Sequence, residues 1–229
     1  MLIFIHGMWS NADVWKNYIK YFEARNYPCK AINLKEGLNL KDACFDDYVA
    51  KIRNIASKDD ILIGHSMGGL IVQKVAEEIH IKGGIAICTA PPKGIKFGNF
   101  GMTLASLRYL PKILMKKPFK PSYSFLKKYI LNCVEEEEAR KIFYTVEAES
   151  PAVAYELAMN KISVDERKVK SPLLFIATKD DKASPPEMVE KVAKKYNAEF
   201  VVLDGCHWIF KDYEQIAYEI SKFIIKLHE

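Results

Sequence analysis

The sequence predicts an α/β protein in three layers, α/β/α, built on a six-stranded, mainly parallel sheet with a helical insertion. Three observations predict it. Short apolar runs alternate with longer amphipathic stretches over most of the 229 residues. Such alternation builds βαβ units, whose right-handed crossovers leave neighbouring strands parallel and cover both faces of the sheet. A glycine-flanked turn, Gly64-His65-Ser66-Met67-Gly68, joins one apolar run to one amphipathic segment. One long stretch, residues 91–170, departs from the alternation and from the composition of the remainder.

Taken in order, Leu2-Ile3-Phe4-Ile5 is apolar at every position and reads as a buried strand over 2–5. A helix opened by Asp13 is expected over 13–25, and an acidic residue suits its first turn. A strand over 29–33 follows, then a helix over 42–56 opened by Asp42, then the apolar strand 61–63. The segment 70–79 has helical periodicity, and 85–88 is the fourth strand. Beyond the irregular stretch come a strand over 173–177, a helix over 186–196 with Pro186 at its first position, a strand over 199–203 and a helix over 213–227.

The glycine-flanked turn carries the chemistry. A serine at the apex of a strand-to-helix turn sits in strained backbone, and a Cβ at either flanking position collides with a neighbouring element. Glycines 64 and 68 meet that need, and Gly69 adds clearance. The helix after the turn aims its N-terminal N–H groups at Ser66 and favours negative charge there. The bland alternative is a glycine-rich turn with an idle serine. A hydroxyl is a poor nucleophile, so the active reading also needs a base, a carboxylate to orient it and donors for an oxyanion. The strand 173–177 runs into Thr178-Lys179-Asp180-Asp181, and 199–203 runs into Asp204-Gly205-Cys206-His207. Residues just past the carboxyl ends of parallel strands share one edge of the sheet, where such groups can meet.

With these residues in place, the chain resembles the α/β-hydrolase superfamily over most of its length outside residues 91–170. The order Ser66, Asp181, His207 is that family's triad order, and Leu2-Ile3-Phe4-Ile5-His6-Gly7-Met8-Trp9 is similar to its first core strand and His-Gly oxyanion loop. The resemblance implies that the backbone N–H groups of Met8 and Met67 form an oxyanion hole. It selects Asp181 over Asp180, because a proline, Pro185, stands four residues after Asp181. Thr178 stands where the family usually has glycine, and Cys206 where a smaller residue usually precedes the histidine. The antiparallel hairpin that often opens the fold is absent from the pattern. Ser66 argues against members with an aspartate nucleophile, and the complete triad argues against members that only bind ligands.

The other histidines have plainer readings: His6 shapes the oxyanion loop, His65 points into the sheet beside the turn, and His80 and His228 lie on the surface. Five cysteines without a Cys-x-x-Cys spacing predict reduced thiols. Cys29, Cys44, Cys88 and Cys133 read as small core or partly buried residues, and Cys206 as a packing residue open to oxidation. No Cys/His cluster has metal-ligand spacing and no phosphate-binding glycine motif with lysine is present, so neither metal nor cofactor is expected. The N-terminal apolar run is too short for a signal peptide and no stretch approaches membrane-spanning length, so a cytoplasmic protein is expected.

The expected organisation is a core of residues 1–90 and 171–229 with residues 91–170 as a helical lid over Ser66. That insert holds 15 Lys+Arg against 9 Asp+Glu and so carries the positive excess of the whole chain. Between residues 91 and 134 there are nine basic residues and no acidic one, interleaved with aromatic and aliphatic side chains. Pro111, Pro118 and Pro121 should break it into short helices. Either this surface lines an acyl pocket and meets an anionic head group or lipid surface through Arg108, Lys112, Lys116, Lys117, Lys127 and Lys128, or its lysines are simply solvated and balanced by Glu135 to Glu138. Nucleic acid is not an expected partner. The expected activity is hydrolysis of a carboxylic ester with an apolar acyl chain, contacted by Trp9, Phe97, Leu104, Leu107 and Trp208. Thioesters, lysophospholipids, small amides, acyl transfer and C–C bond hydrolysis remain open, as does a ligand-binding relative without catalysis.

Overall fold

The computed structural model describes residues 1–96 and 100–228, the side chain of Phe100 excepted. Its centre is one six-stranded sheet, all parallel, in the order β2-β1-β3-β4-β5-β6. The strands are β1 (Leu2–Ile5), β2 (Cys29–Ile32), β3 (Ile61–His65), β4 (Gly83–Ile87), β5 (Leu173–Thr178) and β6 (Glu199–Leu203). The chain winds outward from β1 to β2, returns to β3 on the other side of β1, and continues to β6. The reversal leaves the carboxyl ends of β1 and β3 side by side, with Ile5 in register with Gly64, and a crevice opens at such a switch point.

Alternation along the strands fills both faces. Ile3, Ile5, Leu62, Phe175 and Ala177 pack on one side against α2 (Phe45–Arg53), α3 (Met67–Glu78) and α9 (Pro186–Lys195). Leu2, Phe4, Ile63, Ile85, Leu174 and Ile176 pack on the other against α1 (Lys16–Glu23) and α10 (Glu214–Lys226). The helices meet the sheet through stripes of 3.6-residue period: Phe45, Tyr48, Val49 and Ile52 in α2, and Ile216, Ala217, Ile220, Phe223 and Ile224 in α10. Each Val, Ile or Phe in these stripes contributes roughly 1.5–3 kcal/mol by leaving water.

Element ends differ from expectation where side chains cap the backbone. The helix expected over 13–25 opens as a 3-10 turn, Ala12–Trp15, because the Asn11 side chain accepts from the Asp13 amide at 3.0 Å. The helix expected from 42 starts at Phe45, where the Asp47 carboxylate accepts from the Cys44 amide at 2.8 Å. The helix expected from 70 begins at Met67, directly after Ser66.

Between β4 and β5 the chain forms α4 (Phe100–Ser106), α5 (Leu110–Leu114), α6 (Tyr123–Tyr129), α7 (Glu136–Thr145) and α8 (Pro151–Ala158). The prolines act as expected: Pro111 sits in the first turn of α5, and Pro118 and Pro121 lie in the link to α6. The insert builds apolar clusters of its own, aromatic Tyr109, Phe119, Phe125 and Tyr129 on one side and aliphatic Leu126, Leu131, Val134 and Val146 on the other, both packed on Trp9.

The cysteines require a correction. Cys133 and Cys206 are joined by a disulfide across a separation of 73 residues, whereas Cys29, Cys44 and Cys88 are free. The spacing did not show it because the pairing is tertiary: the turn between α6 and α7 folds down beside the loop after β6. The argument from reduced thiols to a cytoplasmic location therefore loses its premise. Among the described residues no helix is long and apolar enough to cross a membrane.

Candidate active site

Ser66 caps β3 and precedes α3 with φ 56° and ψ −117°, a region that an L-residue enters only when its surroundings force it. The glycines show what forces it. A Cβ on Gly64 would lie 2.1 Å from the Gly68 carbonyl oxygen, and one on Gly68 would lie 2.3 Å from the Ile5 carbonyl oxygen. Strand, turn, helix and the neighbouring β1 are thus in backbone contact, and Ser66 is held at the apex.

Two other strands deliver its partners. His207 Nε2 lies 3.0 Å from Ser66 Oγ, and His207 Nδ1 lies 2.8 Å from Asp181 Oδ2. The second Asp181 oxygen accepts from the Ala183 and Ser184 amides at 2.8 and 2.7 Å, so the carboxylate cannot rotate away from the imidazole. A carboxylate at Nδ1 fixes the proton there and leaves the Nε2 lone pair facing the serine. Asp180 is exposed, and its backbone is bonded to the Gly205 carbonyl and the Asn132 side chain. His65 is buried, but rather than pointing only into the sheet its Nε2 bonds the His207 carbonyl oxygen at 2.9 Å, and burial holds it neutral, well below the ordinary histidine range.

The loop after β1 lies against the turn: a Cβ on Gly7 would be 3.1 Å from Ser66 Cβ. His6 orders this loop. Its Nε2 accepts from the Leu34 amide at 3.1 Å, which places the proton on Nδ1, where it donates to the Gly7 carbonyl at 2.8 Å. Burial lowers its pKa from 6.5 to about 4. Trp9 follows with φ 59°, and its backbone is gripped from the insert: its N–H donates to Glu149 Oε2 at 3.3 Å and its carbonyl accepts from the Glu147 amide at 2.9 Å. Glu149 is fully buried; burial raises its pKa, against bonds from Tyr48 Oη at 2.5 Å and the Ser150 amide at 2.8 Å. Burial also opposes ionisation of Glu147, but Lys35 Nζ at 2.7 Å and Asn11 hold it below the ordinary range. Sequence reasoning missed this clamp, because neither glutamate belongs to a motif and only the Ser150-Pro151 helix start marks the place.

Met8 and Met67 line one cavity with Ser66 and His207. Its volume is about 170 Å³ and its wall is mainly apolar, with Phe119, Phe125, Leu126, Ile142 and Val146 from the insert facing the core residues. Trp9 and Trp208 lie in that wall. Leu104 and Leu107 do not: they are 57% and 58% exposed, and Met102, Ser106, Tyr109 and Ile113 face inward instead. The helical phase decides this, since 102, 106, 109 and 113 repeat on one face while 104 and 107 fall on the opposite one. Phe97 lies outside the described residues.

The remaining groups have structural roles or none. His80 and His228 are exposed. Cys88 Sγ, Asp181 and His207 lie within 4.8 Å of one another, yet Asp181 and His207 already bond each other, and burial followed by the Asp181 charge pushes the Cys88 thiol well above its ordinary value. A protonated thiol is a poor metal ligand. Thr178, at the family's glycine position, bonds that thiol through Oγ1 at 3.4 Å.

The fold has counterparts among solved structures. A sequence search of curated proteins gives no match. Among solved structures, a lipase-esterase related protein from Clostridium acetobutylicum is 21% identical and superposes with a TM-score of 0.76, covering 97% of this chain and 93% of that one. An extracellular alpha/beta-hydrolase from a Paenibacillus species is 17% identical, with a TM-score of 0.76 over 96% of this chain and 97% of that one. A methylesterase from Arabidopsis, 17% identical, reaches 0.70 over 98% of both chains. At these identities the likeness is one of fold, and it extends through the insert. The model of the alpha/beta hydrolase family matches residues 2–219, nearly the whole chain from the first strand into the last helix, and on that ground the chain belongs to this family.

Proposed function

We propose that the protein is a serine hydrolase of carboxylic esters with an apolar acyl part. The observation that carries the reading is the continuous relay Asp181–His207–Ser66, at 2.8 and 3.0 Å, opening into an apolar cavity. Ser66 Oγ attacks the ester carbonyl carbon while His207 Nε2 takes its proton, and Asp181 stabilises the imidazolium. The carbonyl oxygen becomes an oxyanion, which the Met8 and Met67 amides receive together with the N-terminal dipole of α3. The tetrahedral intermediate collapses, His207 returns the proton to the leaving alcohol, and an acyl ester remains on Ser66. Water, activated by the same histidine, then releases the acid. Residues 91–170 act as the lid of a core made of residues 1–90 and 171–229; the insert supplies most of the apolar wall and so defines the acyl site.

A series of 4-nitrophenyl esters of rising chain length tests this. Turnover should rise to an optimum at a chain that fills the cavity and fall beyond it, and a fluorophosphonate should label Ser66. Ser66→Ala should fold normally and lose both labelling and nearly all turnover. Hydrolysis that survives in that variant, with contaminating esterases excluded, defeats the mechanism. Labelling without ester turnover shifts the assignment to thioesters, amides, acyl transfer or C–C cleavage. Ligand binding with neither leaves a non-catalytic binder.

A further inference from the structure

The stretch from Phe100 to Met115 has two apolar stripes, and only one serves the cavity. Met102, Ser106, Tyr109 and Ile113 face inward. Opposite them, Leu104, Leu107, Leu110, Leu114 and Met115 are 57%, 58%, 42%, 74% and 56% exposed. A lid whose outer face meets only water has no need of leucines there; polar residues would serve it at every one of these positions. A contiguous exposed patch of this kind marks a docking surface.

The charges around the patch select the partner. Arg108, Lys112, Lys116 and Lys117 are exposed beside these leucines. Among the described residues none of the four forms an ion pair with a carboxylate. Three of the four glutamates of the acidic run that could have balanced them are engaged elsewhere: Glu136 pairs with Arg140 at 2.7 Å, Glu137 with Lys141 at 2.7 Å and Glu138 with Lys211 at 2.9 Å. No acidic residue occurs between 91 and 134. Lys127 is not part of this surface, since its Nζ donates to the Leu131 and Val134 carbonyls. A second copy of the chain docking patch to patch would bring eight cations together in a drying interface, which disfavours a symmetric dimer. Leucines ringed by lysines suit a surface with an apolar interior and anionic heads, into which helices lying flat insert their apolar side.

We infer that the outer face of residues 104–117 docks this protein on anionic lipid surfaces, with Leu104, Leu107, Leu110, Leu114 and Met115 entering the acyl boundary and Arg108, Lys112, Lys116 and Lys117 meeting the head groups. This is independent of turnover at Ser66. Since the inward stripe of the same segment lines the cavity, a docked protein would hold the cavity wall next to the lipid.

Vesicle flotation reads the docking without any reaction. The full chain should float with vesicles of phosphatidylcholine and phosphatidylglycerol at low salt, much less with phosphatidylcholine alone, and progressively less as salt shortens the Debye length. The triple variant Lys112→Gln, Lys116→Gln, Lys117→Gln should bind the mixed vesicles at least about tenfold more weakly. Leu107→Ser with Leu114→Ser, which leaves the charge unchanged, should also bind at least about tenfold more weakly at the same salt. All substituted side chains are exposed, and thermal melting verifies that the variants fold; the salt series on the unmodified chain needs no variant. Absence of binding to the mixed vesicles, equal binding to both compositions, or binding indifferent to both sets of substitutions overturns the inference. A concentration-dependent dimer abolished by the leucine substitutions also overturns it, by assigning the patch to a second copy.

Discussion

Asp181 differs from Asp180 in every physical respect that bears on the imidazole. It is buried, one oxygen faces His207 Nδ1 and the other is fixed by two amides, whereas the neighbouring side chain is exposed. Asp181→Asn puts a donor or a neutral acceptor where the Nδ1 proton needs a carboxylate, and the wrong tautomer then faces the serine. Ester turnover should fall by about 10⁴, with little change in melting temperature, because the amide retains the volume. Asp180→Asn should change kcat/KM by no more than a small factor. A larger loss at Asp180 than at Asp181 would reverse the assignment. The same scale explains the clamp on Trp9: its left-handed backbone persists because the insert holds both its N–H and its carbonyl.

At the scale of elements, the Cys133–Cys206 bond ties the turn between α6 and α7 to the loop that carries His207. The closed loop is long, so the cross-link removes much freedom from the unfolded chain, and such bonds typically contribute about 2–4 kcal/mol. Reduction, or the double replacement Cys133→Ala with Cys206→Ala, should lower the melting temperature by several degrees. Ester turnover should persist in the double variant below its melting point, though lower, because Asp181 and His65 still hold His207 from the core side. A melting temperature indifferent to reductant in the unmodified chain, with unchanged thiol count, would show that the bond is not formed in solution. The insert helices illustrate a second point at this scale: the apolar stripe that faces the cavity and the one that faces outward come from one segment, from residues in different helical phase.

For the whole molecule, acid should be the weak side. His6 and His65 are both buried and neutral, with pKa values pushed down by burial, His6 to about 4. A histidine lowered on folding takes no proton in the native state over a range where the unfolded chain takes one. The stability it supports is therefore complete above 6.5 and is lost as pH falls from 6.5 through about 4. For His6 alone the loss amounts to roughly 3 kcal/mol, and His65 adds to it. Urea unfolding at a series of pH values should show a steep fall in stability over that window. His6→Asn should be less stable than the unmodified chain at neutral pH and have a shallower pH dependence. An unfolding free energy flat between pH 6.5 and 4 would contradict the buried, neutral assignment of both rings.

Much of this was legible in one dimension, for reasons that particular residues make plain. Apolar runs such as Leu2-Ile3-Phe4-Ile5 leave no polar face, so they demand a sheet covered on both sides; the four central strands are buried throughout, and the strands with Lys30 and Glu199 lie at its two edges. Glycine at 64 and 68 announced a turn with no room for a Cβ. Pro185 distinguished Asp181 from Asp180 only through family resemblance; the buried carboxylate with two amide donors is the physical form of that difference. Local patterning could not reveal whatever depends on partners distant in the chain. Glu149 is buried because Tyr48 and Trp9, more than a hundred residues away, bond it, and Cys133 meets Cys206 because α6 folds onto the His207 loop. The phase of the stretch from α4 to α5 was equally hidden: apolar residues occur on both sides of it, so the sequence by itself determined that it is apolar and basic, and only packing against the cavity decided that Met102 and Tyr109 turn inward while Leu104 and Leu107 remain in solvent.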